Sequence, residues 1–385
     1  VTEAKAHEDI LLYVHVPFCR SKCSYCGFFS LPFEQSAWEA YLETLIQEIG
    51  SLACREEGSR VVSLSFGGGT PSLMPPDALG RILETIRSLY HCSQTMEVTL
   101  EANPDSVSAD NLRRLGRLGV TRLSLGIQSF DDHQLSTLGR PHTAAQAEEA
   151  ILAARSAGFQ NLNLDMLFGL PGQTPADWLQ QLERACRFEP AHLSCYGLTL
   201  EPGTPLLASV EAGKLELPAE EDQRTMFLEG RRFLARRGFD HYEISNFARQ
   251  GRHCRHNLGY WTGKEYLGFG PGAVSTRHGA RRCNPEDLDE YVSRGSDGSL
   301  EAGWTQLQAD ELANEAAMLR LRLGQGLNLT RYRQESGRDL ASEQASLLQD
   351  LATAGLLHWS ADRIRLSPPG MLVSNSIISE LFQIS

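Results

Sequence analysis

The sequence predicts an α/β fold built around a parallel sheet, followed by a smaller, mainly helical, winged-helix-like module. Three observations carry that expectation. Short β-branched or apolar runs alternate six times with segments of helical periodicity from Leu11 onward. Each strand-like run stops at a glycine-rich or polar loop. Beyond a Gly/Ser/Asp-rich stretch at 295–303 the pattern changes to helices with one short hairpin. Repeated βα units imply a parallel sheet whose functional residues gather at the C-terminal ends of the strands. Six units fit either an open doubly wound sheet or an incomplete (β/α) barrel, and periodicity alone does not choose between them.

The first strand, 11–16, runs into a loop holding Cys19, Cys23 and Cys26. Apolar residues at Tyr41, Leu45, Ile49 and Leu52 mark 38–52 as a helix. A second strand, 61–66, stops at Gly67-Gly68-Gly69-Thr70-Pro71. The helix over 75–89 follows, with Pro76 in its first turn, where a missing N–H is harmless. Strands at 97–101, 122–126, 161–166 and 192–198 then alternate with helices at 108–118, capped by Ser108, at 143–157 and at 175–187. A long helix is expected over 220–237, and 242–275 is a weaker region rich in Gly, His and aromatic residues. We expect two domains: 1–295, with its core at about 10–240, and 304–385, with helices at 310–323, 342–354 and 370–382 and a hairpin at 356–359 and 364–366.

Composition narrows the function. The chain has 385 residues, 41% hydrophobic and 22% charged, which allows a sizeable core, and no apolar run reaches the roughly 20 residues needed to span a bilayer. The first residues lack the basic-then-apolar pattern of an export signal, so the expected compartment is the cytoplasm. There the nine cysteines are expected as reduced thiols or metal-cluster ligands, with Cys54, Cys92, Cys186, Cys195 and Cys283 as buried thiols. A net charge of −12 repels phosphate backbones and argues against nucleic-acid binding; the 342–354 helix of the last module has two acids and no bases.

The chemistry sits at the strand ends. Thiolates are soft ligands, and three in one loop suit an iron-sulfur cluster in which one iron of four lacks a protein ligand. A zinc site completed by a distant residue is the competing reading, but structural zinc sites usually draw on two paired ligand sets and no second Cys-x2-Cys is present. The triple glycine brings bare backbone towards a small ligand, and it is no P-loop because no Gly-Lys-Ser/Thr follows. Glu101, Gln128, Arg140 and Asp165 taken singly are more often solvated or ion-paired. Their recurrence at successive strand ends places them around one pocket, suited to the amino, carboxylate and ribose groups of an adenosine-containing molecule.

Cys-x3-Cys-x2-Cys after a first strand, Tyr25 just before the last cysteine, and Gly-Gly-Gly-Thr-Pro after the second strand resemble the radical S-adenosylmethionine superfamily. The stretch 13–275 further resembles its branch of oxygen-independent coproporphyrinogen III oxidases and HemW-type haem chaperones. The resemblance implies a partial (β/α)6, TIM-like barrel and a 4Fe-4S cluster on Cys19, Cys23 and Cys26. Its open iron is chelated by S-adenosylmethionine, which an electron from the cluster cleaves to methionine and a 5′-deoxyadenosyl radical. It also implies Tyr13, Gly68 and Glu101 as contacts to that molecule. Gly69, Thr70, Gln128, Arg140 and Asp165 match positions that hold a second such molecule in the oxidases, and Val274 matches an apolar contact on the adenine.

Two features order the branch's two activities. The oxidases continue Cys-x3-Cys-x2-Cys-x-Cys, whereas Phe28 stands at the last of those positions here. Conversely, His256-Asn257-Leu258-Gly259-Tyr260-Trp261 matches the His-Asn-x-x-Tyr-Trp signature of the haem chaperones. Imidazole ligates haem iron and aromatic rings stack on the macrocycle, so His256 is the expected haem ligand, with Cys254 its nearest rival. The resemblance therefore implies a carrier of haem that hands its cargo to membrane-bound or respiratory haemoproteins. It also implies an electron donor, and leaves a dimer open. The alternative is a radical decarboxylase that converts the propionates of coproporphyrinogen III to vinyl groups.

Overall fold

The computed structural model describes residues 7–382 apart from 55 and 57. Most of the stretch read for an export signal, and the outer ends of both expected domains, lie outside the described residues. Six parallel strands form the centre: β1 (Glu8–Val16), β2 (Ser59–Gly68), β3 (Cys92–Ala102), β4 (Arg122–Gln128), β5 (Leu162–Phe168) and β6 (His192–Gly197). Between them run α1 (Gln35–Ala53), α2 (Pro76–Leu89), α3 (Ala109–Leu118), α4 (Ala144–Ser156) and α5 (Pro175–Arg187), and α6 (Glu220–Arg236) follows β6. Helix starts obey local chemistry. Ser108 accepts from the Asn111 N–H, Thr143 and Thr174 form capping boxes with Gln146 and Asp177, and Pro76 begins α2.

The six strands lie side by side in chain order, with no reversal. A doubly wound sheet needs a switch point where the order reverses, so the sheet is singly wound, like an incomplete barrel. It does not close. A chain extension supplies β7 (Asp240–His241) and β8 (Asn246–Ala248), which run antiparallel beyond β6. After α7 (Arg255–Thr262), β9 (Tyr266–Phe269) pairs parallel with the free edge of β1 and continues through β10 (Val274–Arg277), β11 (Ala280–Cys283) and β12 (Thr305–Gln306), making twelve strands in all.

Strand periodicity divides the sheet into two faces. Leu12, Val14, Leu64, Phe66, Val98, Leu100, Leu123, Leu125, Leu164 and Met166 join the hydrophobic core, where Leu45, Ile82, Leu112 and Trp178 of the helices meet them. The alternate positions, Tyr13, Ser65, Thr99, Glu101, Ser124, Asn163, Asp165 and Ser194, are polar and face the concave side. A barrel interior of this composition is a lumen for a polar ligand rather than a packed core.

The C-terminal region packs α8 (Ala309–Leu321) with further short helices and a three-stranded sheet of β13 (Leu327–Asn328), β14 (Leu357–Trp359) and β15 (Arg363–Leu366). The expected hairpin and first helix are present, while the helices expected at 342–354 and 370–382 are each broken in two, at Gln344 and Val373. A helix at Leu329–Ser336 went unpredicted, since Leu329 and Tyr332 are its only buried residues. The expected linker is not a loose one: Leu300 is buried, its carbonyl accepts from Arg282, and a Cβ on Gly295 would meet Thr44 of α1 at 2.3 Å. The division into 1–295 and 304–385 is kept as a proposal. All nine cysteines are free thiols. Only Cys186 and Cys195 of the five expected buried ones are so; Cys92 is half-buried, while Cys54 ends α1 and Cys283 ends a hairpin strand, both facing solvent. No helix among the described residues is long and apolar enough to cross a membrane.

Candidate functional site

The cysteine loop lies beside the C-terminal mouth of the lumen. Phe18–Cys19 pairs with Leu31–Pro32, so the loop returns beneath its own start. Its middle is docked on the segment after a short helix, Asp132–Thr137: Ser24 N–H donates to Leu138 O (3.0 Å) and Ser24 Oγ to Thr137 O (2.9 Å). The glycines of the second strand end seat the loop. Gly69 N–H donates to Val16 O and Thr70 N–H to Phe18 O, both at 2.8 Å, and a Cβ on Gly69 would lie 2.6 Å from Phe18 O. Gly68, at φ +107°, passes over the His15 ring, which would meet a Cβ at 2.6 Å.

A polar chain links two of the cysteines. Thr70 Oγ1 donates to Cys19 Sγ (3.5 Å) and accepts from Asn103 Nδ2 (3.1 Å). Arg140 donates through Nη2 to Asn103 Oδ1 (2.7 Å) and Gly126 O (2.8 Å), and through Nη1 to Cys23 Sγ (3.4 Å). Thr70 and Arg140, expected around a second S-adenosylmethionine, thus touch sulfurs directly. Gln128 lies beside them: at φ +65° it turns the chain out of β4, and its Nε2 is 3.2 Å from where a Gly126 Cβ would stand. Asn103 and His15 were not singled out from the sequence. Each is two residues along a strand line from a chosen residue, Glu101 or Tyr13, so the period-2 rule could have found both.

Deeper in, Tyr13, Gly67 and Glu101 form a cradle. A Cβ on Gly67 would come within 3.0 Å of Glu101 Oε1 and 3.1 Å of the Tyr13 hydroxyl. Tyr13 shares a hydrogen bond with His15 Nδ1 (3.2 Å). Asp165 accepts from Ser124 Oγ (3.0 Å) and Asn163 Nδ2 (2.8 Å), and burial raises its carboxyl above the usual range against those bonds. Glu101 is reachable by solvent through the open mouth, yet protein surrounds it on the other sides. Desolvation and then the charge of Asp165 push its carboxyl up to about 8, opposed by Arg122 and the Gly68 N–H. Water in the lumen screens part of that penalty. The unfolded chain ionises this group near its ordinary 4.5, before the folded one does, so stability falls as pH rises from there towards 8. Glu101→Gln is expected to flatten that decline, read from denaturation midpoints at about pH 5 and about pH 8; an equally steep decline in the variant would count against the shift.

The floor of the lumen is closed by α7. Glu97 of β3 accepts from the Arg255 N–H (2.9 Å) and the His256 N–H (3.4 Å), a carboxylate on a helix N-terminus. Gly259 lets the helix reach β1: a Cβ there would strike Leu11 at 2.5 Å. His256 pairs through Nδ1 with Ser63 Oγ (2.9 Å), rests edge-on against Tyr260, and is 3% exposed. Burial and then Arg122 push its pKa down to about 3, so the imidazole is neutral. Its Nε2 has no hydrogen-bond partner among the described residues but is enclosed by protein. His256, the expected haem ligand, thus lies enclosed beneath the lumen. Cys254, the rival, is equally buried, its thiol directed at Glu97 (3.6 Å). Val274 is half-buried on β10, paired with Cys283.

The family model of the radical SAM superfamily matches residues 13–185, and that of the HemN C-terminal domain matches 307–373. The heme chaperone HemW of Bacillus subtilis (strain 168) is 34% identical over 367 residues, covering 95% of this chain and 97% of that protein. The chain belongs to the HemW family of radical S-adenosylmethionine proteins. Other similar members of the family include heme chaperone HemW of Mycobacterium tuberculosis (strain ATCC 25618 / H37Rv), 34% identical over 96% of this chain and 94% of its own length. A vertebrate relative, the mitochondrial radical S-adenosyl methionine domain-containing protein 1 of Danio rerio, is 34% identical over 95% and 85%. Among solved structures, coproporphyrinogen III oxidase (HemN) from Escherichia coli superposes with a TM-score of 0.83 at 25% identity, covering all of this chain and 92% of that one.

Membership in this family implies a 4Fe-4S cluster and S-adenosylmethionine, and the residues fit both. The sulfurs of Cys19, Cys23 and Cys26 do not all lie within 4.8 Å of one another. Thr70 and Arg140 already aim donors at two of the sulfurs, as thiolate ligands require. Gly67 keeps the backbone bare beside the Tyr13 hydroxyl and the Glu101 carboxyl, where a Cβ would crowd both.

Proposed function

We propose that this chain is a haem chaperone: it holds a 4Fe-4S cluster on Cys19, Cys23 and Cys26 with S-adenosylmethionine, binds haem as cargo, and hands haem to acceptor haemoproteins, respiratory ones among them. The observation that carries the reading is the match at 34% identity over nearly the whole length of a heme chaperone. Phe28 adds to it. The side chain is 69% exposed, so no packing demand explains an aromatic residue at the position where the oxidase pattern has a fourth cysteine. Tyr13, Gly68 and Glu101 are assigned to the cluster-bound S-adenosylmethionine, while Gly69, Thr70, Gln128, Arg140 and Asp165 stand at the positions that match a second such molecule in the oxidases. Bound there, the pair supplies one-electron chemistry; the chain's own residues position it, seat the loop and keep the lumen polar. We place the protein in the cytoplasm, reaching the membrane through its acceptor, with a separate electron donor and no nucleic-acid partner.

The second reading, an oxygen-independent coproporphyrinogen III oxidase, is favoured by the superposition on HemN over the full chain. Anaerobic reconstitution with iron and sulfide, followed by haem titration, transfer to an apo-haemoprotein and a product assay on coproporphyrinogen III, separates the two. The chaperone reading expects a Soret band that moves to the acceptor and no vinyl product; turnover to vinyl product would overturn it.

A further inference from the structure

His256 is shut away beneath the lumen, but the helix that bears it forms one wall of a different cavity. A cleft of about 510 Å3 lies between the extension and the C-terminal region. Leu258 of α7, Tyr242 and His253 line one side, and His358, Arg365 and Met371 line the other. The wing hairpin explains the second wall. Leu357 pairs with Leu366, His358 with Arg365, and Trp359 with Ile364. Leu357, Ile364 and Leu366 are at most 2% exposed, so the strand period turns His358 and Arg365, directly cross-strand neighbours, together to the opposite face.

The cleft holds three histidines, and two are engaged. His241 accepts from Arg231 Nε at Nδ1 (3.2 Å) and pairs with Ile244 O at Nε2 (2.9 Å), while His253 pairs with Asp240 Oδ2 (2.9 Å). His358 is exposed and its side chain makes no hydrogen bond among the described residues. Two guanidiniums flank the space, Arg231 and Arg365, close enough that Arg231 feels the like charge of Arg365. The one carboxylate on the lining, Asp240, is taken by His253. Beyond His358 the cleft runs on into a second hollow of about 420 Å3 that shares Gln325, His358 and Arg365.

An unengaged imidazole, two cations without carboxylate partners and an apolar wall converge on a ligand that is flat, apolar, dianionic and metal-bearing. We propose that this cleft is the site of a dicarboxylate metalloporphyrin, with His358 as axial ligand to its iron and Arg231 and Arg365 receiving the two propionates. The assignment rests on the haem-carrier reading above. It puts the cargo on the far side of α7 from the cysteine loop, so haem and cluster occupy separate sites.

Titration of the full chain with ferric haem, followed at the Soret band, tests this. His358→Ala is expected to shift the Soret maximum and weaken binding about tenfold or more, with free imidazole restoring the wild-type spectrum. Arg365→Glu is expected to weaken binding by a similar factor without moving the maximum. His358 and Arg365 are exposed, and unchanged far-ultraviolet circular dichroism checks that the fold survives. Wild-type affinity and spectrum in both cleft variants would overturn the site and leave the carrier reading standing. No Soret shift in the wild type would overturn both.

Discussion

Glu48→Ala is expected to lower the unfolding free energy by about 3–5 kcal/mol, seen as a lower urea midpoint. Glu48 lies on α1 and is 2% exposed, yet its carboxylate accepts four hydrogen bonds. They come from Arg282 Nη2 (2.7 Å), Asn284 Nδ2 (2.8 Å), the Tyr291 hydroxyl (2.8 Å) and the Gly270 N–H (2.9 Å). All four donors belong to the extension, so one side chain ties it to the first helix of the barrel. Alanine would leave the buried charge of Arg282 uncompensated and three further donors unpaired, which is worse than removing the whole pair. Glu48→Met combined with Arg282→Met is therefore expected to recover most of the loss. The effect should also reach the site: Gly270 packs so closely on β1 that a Cβ would lie 2.5 Å from His15 O, and His15 supports Gly68. A loss under about 1 kcal/mol, the scale of an exposed pair, would show that the network does not hold the extension.

Glu48 also marks the limit of what the sequence discloses. It stands on the same helical stripe as Tyr41, Leu45, Ile49 and Leu52, so an acid on an apolar face was visible, but its partners lie more than 200 residues away. The six central strands and the cysteine loop were legible because they rest on local period and spacing. The sheet's twelve-strand extent was not, since β9 reaches β1 only through tertiary pairing. The burial of His256 was hidden for a related reason: the motif fixes a short helix, while Glu97, Ser63 and Leu11 decide which way that helix faces. Thr70 and Arg140 were found by position, but their contact with sulfur depends on Asn103 bridging them, a residue that carries no signal of its own beyond its parity with Glu101.

The neighbouring glycines of the second strand end are expected to separate cluster seating from ligand binding. In Gly69→Ala the new Cβ would stand 2.6 Å from Phe18 O, 2.9 Å from its carbonyl carbon and 3.0 Å from its N, all backbone atoms that cannot swing aside. Gly69 and Thr70 are also bonded to Val16 and Phe18 on either side, so the strain must move the segment that carries Cys19 and break the Thr70 contact to its sulfur. Cluster affinity should fall about 10–100-fold, as when supporting contacts around a metal site are lost, read as iron, sulfide and visible absorbance per chain after anaerobic reconstitution. In Gly67→Ala the Cβ points instead between Glu101 and Tyr13. That variant should keep its cluster and lose S-adenosylmethionine binding in equilibrium dialysis. Were Gly69→Ala to retain a full cluster and lose only the ligand, Gly69 would be a ligand contact like its neighbour and the seating role would be wrong.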